Sequence, residues 1–228
     1  MDFQPRGRLI FFATANVNKF NEARRVLAEY KIAVGMLRVK SLEIQSENLE
    51  EIASASAEDA FRRCNLPIIV EDAGLFIYAL KGFPGPYSAY AYKTVGNAGL
   101  LQIMKSMKER KAEFRSVIAY RSADLDSPIC FNGEITGEIT LKERRSKASG
   151  GFGFDPIFRP ANSDITFAEM SILEKNKNSH RAIALRRFAE WYKELSKSKQ
   201  LDTNRSVVAR SEMNEQIKDR DSTFNSSR

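Results

Sequence analysis

Two adjacent carboxylates, Glu71 and Asp72, directly follow the apolar run 66–70. A short apolar run of this kind predicts a buried core strand, which is expected to end at the acid pair, where a loop begins. Side chains on a strand alternate between its faces, so one acid is expected to point into a cleft while the other supports it from behind. The alternative is that Asp72 caps a following helix or turn.

A second apolar run, residues 9–13, ends at small polar residues, and a helical pattern follows it. Asn16 or Asn18 could cap this helix. Backbone N–H groups at a helix start, with Lys19 in the first turn, are suited to binding phosphate oxygens. The glycines and the Gly-Lys-Ser/Thr ending of a Walker loop are absent. Taken alone, the segment is more simply explained as an ordinary cap followed by a surface lysine.

The remaining patterns alternate between helical and extended periods, which predicts an α/β fold. Helices are expected at 49–64, near 98–108 and at 180–196. An extended stretch is expected at 36–42 and a turn-rich loop at 82–86. Antiparallel strands are expected at 114–121 and 129–141, joined by a turn at 123–128. The buried side of the last helix is expected to carry Ile183, Phe188, Trp191, Tyr192 and Leu195.

The chain has 228 residues, of which 43% are hydrophobic, enough for a sizeable core in one domain or two joined lobes. No apolar stretch of the sequence approaches the length of a membrane span, and its first residues have no signal-peptide core, so the protein is expected to stay in the cytoplasm. Cys64 and Cys130, with a single histidine in the chain, do not have the spacing of a zinc site. They are expected to be reduced thiols.

The formal charge of +7 raises nucleic-acid binding as a rival function. However, the 36 basic and 29 acidic residues are interleaved along the chain, and no nucleic-acid module is recognisable. A positive cleft that attracts an anionic substrate explains the excess equally well.

The composition becomes polar beyond residue 196, with scattered single apolar residues. Such a segment buries too little apolar area to offset its ordering entropy. The sequence therefore predicts a domain over 1–196 and a disordered tail over 197–228. A short helix at 207–217 that docks on a partner is the alternative.

Seven motifs occur in one order along the chain: Thr14-x-Asn16-x-x-Lys19, Glu71-Asp72, 82–88, 151–158, 166–170, 174–176 and 179–181. This series resembles the inosine triphosphate pyrophosphatase family, the Ham1-like pyrophosphatases of non-standard purine nucleoside triphosphates, over residues 8–196. The resemblance implies an elongated, twisted mixed sheet flanked by helices, with two lobes, a central substrate cleft and a homodimer.

The resemblance also implies hydrolysis of inosine, deoxyinosine and xanthosine triphosphates to the monophosphate plus pyrophosphate, which cleanses the nucleotide pool. A pyrophosphatase for another modified or pyrimidine nucleotide is the alternative enzyme, and a non-catalytic nucleotide sensor is the alternative outside enzymes. Such hydrolysis needs charge neutralisation on the phosphates, an oriented water and a base.

The family's metal and catalytic positions match acids of this chain. Mg²⁺, which needs only one or two protein carboxylates, is placed on Glu43 and Asp72. The resemblance also makes Asp72 the proton acceptor for the attacking water. Glu71 is expected to support the residues that bind the metal. Glu47 is the fallback ligand, and without the resemblance Glu43 would be an ordinary exposed acid.

The family's substrate-binding positions fall on three segments and Ala73. The triphosphate is expected on Thr14, Ala15, Asn16, Val17, Asn18 and Lys19; the base and sugar on Phe152, Gly153, Phe154 and Asp155; and base recognition on Lys175, His180 and Arg181. Without the resemblance, Phe154 would be assigned to the core, Asp155 to a turn, and His180 to a helix start.

The chain departs from the family at several positions. Ala15 and Ala182 stand where the family commonly has glycine. Ala73 stands where it commonly has serine or threonine. A lysine that contacts phosphate is often present on the helix before Cys64, whereas here the nearby residues are Ser56 and Glu58. Arg62 or Arg63 is the candidate replacement; otherwise turnover or affinity is expected to be modest.

Overall fold

The computed structural model describes residues 8–39, 42, 44–146 and 151–197. The chain divides into two compact units, residues 1–189 and 190–228. In the second unit, residues 190–197 are described and are helical. Apart from residue 197, the predicted disordered tail and its alternative helix lie outside the described residues, and the predicted domain boundary stays a prediction.

The first unit contains seven strands and six α-helices among its described residues. The strands are β1 Arg8–Ala13, β2 Ile32–Leu37, β3 Ile68–Ile77, β4 Pro84–Gly85, β5 Lys111–Arg121, β6 Ile129–Ile139 and β7 Phe158–Pro160. The helices are α1 Val17–Glu29, α2 Leu49–Cys64, α3 Ser88–Thr94, α4 Gly96–Ile103, α5 Ile172–Asn178 and α6, residues 180–189. None of the described helices combines the length and apolar character needed to cross a membrane.

All seven strands join one mixed sheet in the order β2-β1-β3-β5-β6-β7, with β4 paired to β3. β1 runs parallel to β2 and β3, whereas β5, β6 and β7 continue the sheet with antiparallel pairings. The predicted α/β class is confirmed, as are the helix at 49–64 and the turn between β5 and β6.

The prediction that the strand ends at the acid pair is wrong, because β3 continues to Ile77. Every residue of β3, from Ile68 to Ile77, pairs with a residue of β5. The cross-strand hydrogen bonds outweigh the weak strand preference of the small residues after Asp72. Gly74 is required there, because a Cβ atom on it would lie 2.2 Å from the Gly85 carbonyl oxygen.

The opposite edge of β3 is only partly paired. β1 pairs with Ile68 and Ile69, and β4 pairs with Leu75 and Phe76. Among the described residues, the stretch 70–74 therefore has strand pairing to β5 alone. The acid pair lies in this opening of the sheet, directly beyond the end of β1.

Hydrophobic clusters among the described residues pack against this sheet. The alanine-rich side of α2 packs against Val70, Val117 and Ala119. A second cluster includes Leu75, Phe114 and residues of α3 and α4. Strand alternation places Asp72 on the same face as Val70 and Glu71 on the opposite face, as the sequence predicts.

Three other predicted elements differ from the structure. The extended stretch after α1 is β2, Ile32–Leu37, which overlaps the predicted range 36–42 only at its last two residues. Helix α4 ends at Ile103, before the predicted residue 108. On the last predicted helix, Phe188 is buried, but Ile183, Trp191, Tyr192 and Leu195 are half-buried. Three of the other buried positions are alanines, Ala182, Ala184 and Ala189, and Leu185 is buried with them. Small residues are required because α6 lies very close to β6.

Gly133 on β6 sets this close approach, and we predict that Gly133→Ala destabilises the protein. The added Cβ atom would lie 2.1 Å from the His180 carbonyl oxygen and 2.5 Å from the Ala184 nitrogen, so α6 has to move. Overpacking of this kind costs about 1–3 kcal/mol in the free energy of unfolding. Urea unfolding measures the loss, and Thr136→Ala, at an exposed position of β6, is the control. Equal stability of the two variants would contradict the predicted clash.

Candidate functional site

A cavity of about 1340 Å³ lies at the opening beside β3. Its wall combines residues that are far apart in the sequence: Thr14, Ala15, Asn16, Asn18, Lys19, Glu71, Asp72, Ala73, Phe152, Gly153, Phe154, Asp155, Lys175, His180 and Arg181. All of these are predicted site residues, so the structure brings them together. Val17 is not among the lining residues, and its side chain is exposed.

The predicted metal ligands outside β3 have different outcomes. Glu43 lies outside the described residues. Glu47, the fallback, is exposed and lines a separate cavity of about 460 Å³ beside Asn132 and Arg187. The structure therefore does not place Glu47 on the wall of the larger cavity.

The first wall of the cavity is the start of α1. Asn16 is the N-cap, and its Oδ1 accepts hydrogen bonds from the backbone N–H groups of Asn18 at 3.0 Å and Lys19 at 3.1 Å. The Thr14 hydroxyl accepts from the Asn16 N–H at 3.1 Å. Of the two predicted caps, Asn16 is therefore confirmed. The cap holds the helix start, with its partial positive charge, at the cavity.

Glu71 is the centre of a buried ionic network. Its side chain is fully buried, and its Oε1 accepts hydrogen bonds from Arg181 Nε at 2.8 Å and from the Ser116 hydroxyl at 2.7 Å. The Lys19 ammonium lies 3.3 Å from Oε2. Glu71 thus connects the start of α1, strand β5 and helix α6 around one carboxylate.

Glu22 is a second buried acid and is not among the residues that the sequence predicts for the site. Its carboxylate forms ion pairs with Lys175 Nζ at 2.8 Å and with Arg181 Nη1, and its side chain is 4% exposed. A signal was present in the sequence, because Glu22 lies beside Ala23 and Val26 on the apolar face of α1. An acid on such a face is buried only if it is paired.

Lys175 links this network to the predicted base pocket. Its ammonium also lies 2.6 Å from Asp155 Oδ2, and the same oxygen accepts the Phe152 N–H at 2.8 Å. The Phe152 ring lies beside both cations, 4.7 Å from the Lys175 nitrogen and 5.4 Å from the Arg181 guanidinium carbon. The loop that carries Phe152 is therefore tied to α5 and α6 by charge and by cation–π contact.

The pKa values of the buried acids in the network are shifted by burial and by these ion pairs. Burial by itself raises the pKa of Glu71, but the charges of Arg181 and Lys19 outweigh it and hold this pKa below its ordinary value. Burial of Glu22 is likewise outweighed by Arg181 and Lys175, which lower its pKa. Burial, with the nearby charge of Glu22, raises the pKa of Asp155 although Lys175 opposes it.

His180 presents a neutral imidazole to the cavity. Its ring stacks on Phe114 with 4.6 Å between centroids, and the side chain is buried. Burial, assisted by the charge of Arg181, lowers the pKa of His180 well below 6.5. In the described part of the chain, His180 Nδ1 has no hydrogen-bond partner. A buried polar atom of this kind is suited to a ligand that supplies one.

Asp72 lies on the other face of β3 and is half-buried. Ser46, Ile52 and Ser56 line the same cavity. The described residues contain no group of three metal-binding side chains. A Mg²⁺ ion bound to a substrate phosphate needs only one or two protein carboxylates, so Asp72 fits this use.

The predicted replacements for the missing lysine are not brought to this cavity. Within the described ranges, neither Arg62 nor Arg63 lines it, and Arg63 pairs with Asp59 at 3.0 Å. Ser56 lines the cavity, but its hydroxyl donates to the Leu42 carbonyl oxygen at 2.8 Å. Glu58 pairs with Arg121 instead.

Several known proteins are similar to this chain. A profile of the Ham1 family matches residues 10–191. The dITP/XTP pyrophosphatase of Methanopyrus kandleri is 49% identical over 184 residues, which cover 81% of this chain and 96% of that protein. The dITP/XTP pyrophosphatase of Thermococcus kodakarensis is 48% identical over 183 residues, covering 80% and 96%.

Solved structures show the same similarity. The Ham1 proteins of Staphylococcus aureus and Coxiella burnetii superpose with TM-scores of 0.69 and 0.70. Each is 29% identical, and each alignment covers 82% of this chain and 99% of the other. The segment matched by the family profile contains every residue that lines the cavity.

We predict that Glu22→Gln destabilises the protein strongly. The amide keeps the shape of the side chain but removes one negative charge from between Lys175 and Arg181, and breaking a buried ion pair costs about 3–5 kcal/mol. Glu29→Gln is the matched control on the same helix, because Glu29 is half exposed and 3.7 Å from Arg186. Chemical unfolding of both variants measures the difference, and equal stability would show that Glu22 is dispensable.

We predict that His180 makes the stability depend on pH between 5 and 7. The folded state keeps the imidazole neutral, whereas the unfolded chain binds a proton below its ordinary pKa of about 6.5. The free energy of unfolding therefore falls as the pH falls, by at most about 1.4 kcal/mol per pH unit from this group. Urea unfolding across this range should give a flatter profile for His180→Gln. Parallel profiles would contradict the predicted neutrality, which is readily tested because the chain has one histidine.

Proposed function

This chain belongs to the Ham1 family, and we propose that it hydrolyses inosine, deoxyinosine and xanthosine triphosphates to the monophosphate plus pyrophosphate. The observation that carries the proposal is the identity of 49% and 48% to two dITP/XTP pyrophosphatases, across 96% of their lengths. The biological role would be removal of deaminated purines from the nucleotide pool.

The cavity supports this activity because its two ends differ in chemistry. The start of α1 and Lys19 provide positive charge for phosphate oxygens. Phe152 and Phe154 provide aromatic surface for a purine, although Phe154 also belongs to the buried core, as its alternative assignment predicts. Asp72 and Glu71 lie on the strand between these two ends.

We assign Asp72 as the proton acceptor for the attacking water. Its side chain lines the cavity, and the residue is half-buried. Mg²⁺, held by Asp72 with Glu43 as the second predicted ligand, would neutralise phosphate charge when bound. Glu71 is paired with Arg181 and Lys19, so its role is to hold these cations in place.

The direction of hydrogen bonds supports selectivity against adenosine. Inosine and xanthosine carry a carbonyl acceptor at purine position 6, where adenosine carries an amino donor. Arg181 has donors only, and its Nε and Nη1 already bind Glu71 and Glu22, which leaves its remaining N–H groups for a base. An adenine amino group would meet donors and leave buried polar groups unpaired, and this can reject an analogue by roughly ten-thousandfold.

A substrate panel tests the proposed function. Inosine, xanthosine, adenosine and pyrimidine triphosphates are each incubated with the protein, and pyrophosphate and phosphate are measured separately. Pyrophosphate release from inosine and xanthosine triphosphates, with much lower efficiency on adenosine triphosphate, is expected. Phosphate release, preference for a pyrimidine, or binding without turnover would each overturn the proposal in a different direction.

We predict that Asp72→Asn abolishes turnover while the protein still folds. The amide cannot accept the proton, and loss of a base typically costs about a hundredfold to ten-thousandfold in rate. Pyrophosphate release, with circular dichroism to verify folding, measures the effect. Asp126→Asn, at an exposed position in the turn between β5 and β6, is the control and should retain activity. Near-normal turnover of Asp72→Asn would remove Asp72 from the mechanism.

Mg²⁺ dependence, a cytoplasmic location and a homodimer are further parts of the proposal. Chelation with and without added Mg²⁺ tests the first. The proposed substrates are free nucleoside triphosphates, and this supports a cytoplasmic location. Several large apolar side chains outside the cavity are exposed, among them Tyr78, Phe83 and Ile103, and this supports association of two copies. Light scattering of the purified protein tests the dimer.

A further inference from the structure

The buried network leaves little of its positive charge for a polyanionic substrate. Three cations, Lys19, Lys175 and Arg181, face three acids, Glu22, Glu71 and Asp155, within it. These charges cancel as a group. Besides Mg²⁺ and the start of α1, a further cation on the wall of the cavity would stabilise a bound triphosphate.

Arg38 is such a cation. It lines the cavity and is exposed, and among the described residues no hydrogen bond or ion pair engages its side chain. Arg145, the other arginine on the wall outside the network, already lies 3.4 Å from Glu143. Of the three arginines that line the cavity, Arg38 is therefore the one without an acid partner among the described residues.

The sheet places Arg38 next to the start of the first helix. Leu37, the last residue of β2, pairs with Ala13 of the parallel strand β1, and the Thr14 N–H donates to the Leu37 carbonyl oxygen at 3.0 Å. Arg38 and Thr14 therefore follow neighbouring parallel strands at the same edge. Ligands in open α/β sheets bind beyond the carboxyl ends of such strands.

The order of the strands indicates which end of the substrate Arg38 meets. Across the sheet come β2 with Arg38, β1 with Thr14, β3 with Asp72, and β5 with Phe114, on which His180 stacks. At about 4.8 Å between strands, Arg38 follows a strand roughly 10 Å from that of Asp72, on the side away from Phe114. The base and the leaving phosphates lie on opposite sides of the bond that is cleaved.

We propose that Arg38 binds the part of the substrate that leaves as pyrophosphate. The guanidinium group presents paired N–H donors that match two phosphate oxygens. This inference rests on the proposed function, because the proposed reaction defines which phosphates leave. It assigns to Arg38 a contact with the β and γ phosphates, separate from base recognition at Lys175, His180 and Arg181.

The test is direct binding of the two products, without turnover. Calorimetry with Mg²⁺ measures the dissociation constants of pyrophosphate and of inosine monophosphate for the unmodified protein, Arg38→Ala and Arg38→Lys. Arg38→Ala should weaken pyrophosphate binding about tenfold or more, with less than about a twofold change for the monophosphate. Arg38→Lys should lie between, because it keeps the charge but loses the paired donors.

Arg25→Ala is the matched control. Arg25 is exposed on α1 and carries the same charge, so it reports any general effect of lowering the net charge. Circular dichroism verifies that all variants fold, and Arg38→Gln replaces Arg38→Ala if the latter does not.

Unchanged pyrophosphate affinity in Arg38→Ala, an equal loss for both products, or an equal loss in Arg25→Ala would overturn the inference. Failure of the unmodified protein to bind pyrophosphate would also overturn it. The substrate panel judges the proposed function separately: pyrophosphate release from inosine triphosphate, with unchanged pyrophosphate binding in Arg38→Ala, would refute the role of Arg38 alone.

Discussion

Pairing of buried acids with buried cations is the constraint on which the site depends. Glu71 on β3 and Glu22 on α1 both bind Arg181 on α6, so one guanidinium joins three elements of the fold. Charges removed from water are tolerated only when they are paired and hydrogen-bonded. The network therefore determines where α1, β3 and α6 can lie relative to one another, and the cavity is the space that remains between them.

The sheet contributes the second constraint. β5 pairs with β3 on one edge along its full length, whereas β1 and β4 leave residues 70–74 of the other edge open. Because one edge of β3 is paired and the other is open at residues 70–74, side chains from both faces of the strand can reach a ligand at the open edge. Glu71 therefore joins the ionic network from one face of β3, while Asp72, one residue later, lines the cavity from the opposite face.

Much of the fold and site could be predicted from local patterns. The helix Leu49–Cys64, the cap at Asn16 and the antiparallel pair β5 and β6 follow from periodicity and turn residues, because these signals lie within a few residues of one another. The end of β3 could not be predicted in this way. Its continuation depends on hydrogen bonds to β5, some 45 residues later in the chain, which override the weak strand preference of Gly74.

The sequence by itself determined the α/β class, the order of the motifs and most of the residues around the cavity, because residue types and spacing are local properties. Only the tertiary structure decided how these residues are used. It paired Lys175 and Arg181 with Glu22, and it left Arg38 beside Thr14 without an acid partner in the described part of the chain. The physical reason is that charge pairing and burial depend on distances between segments, and folding alone sets those distances.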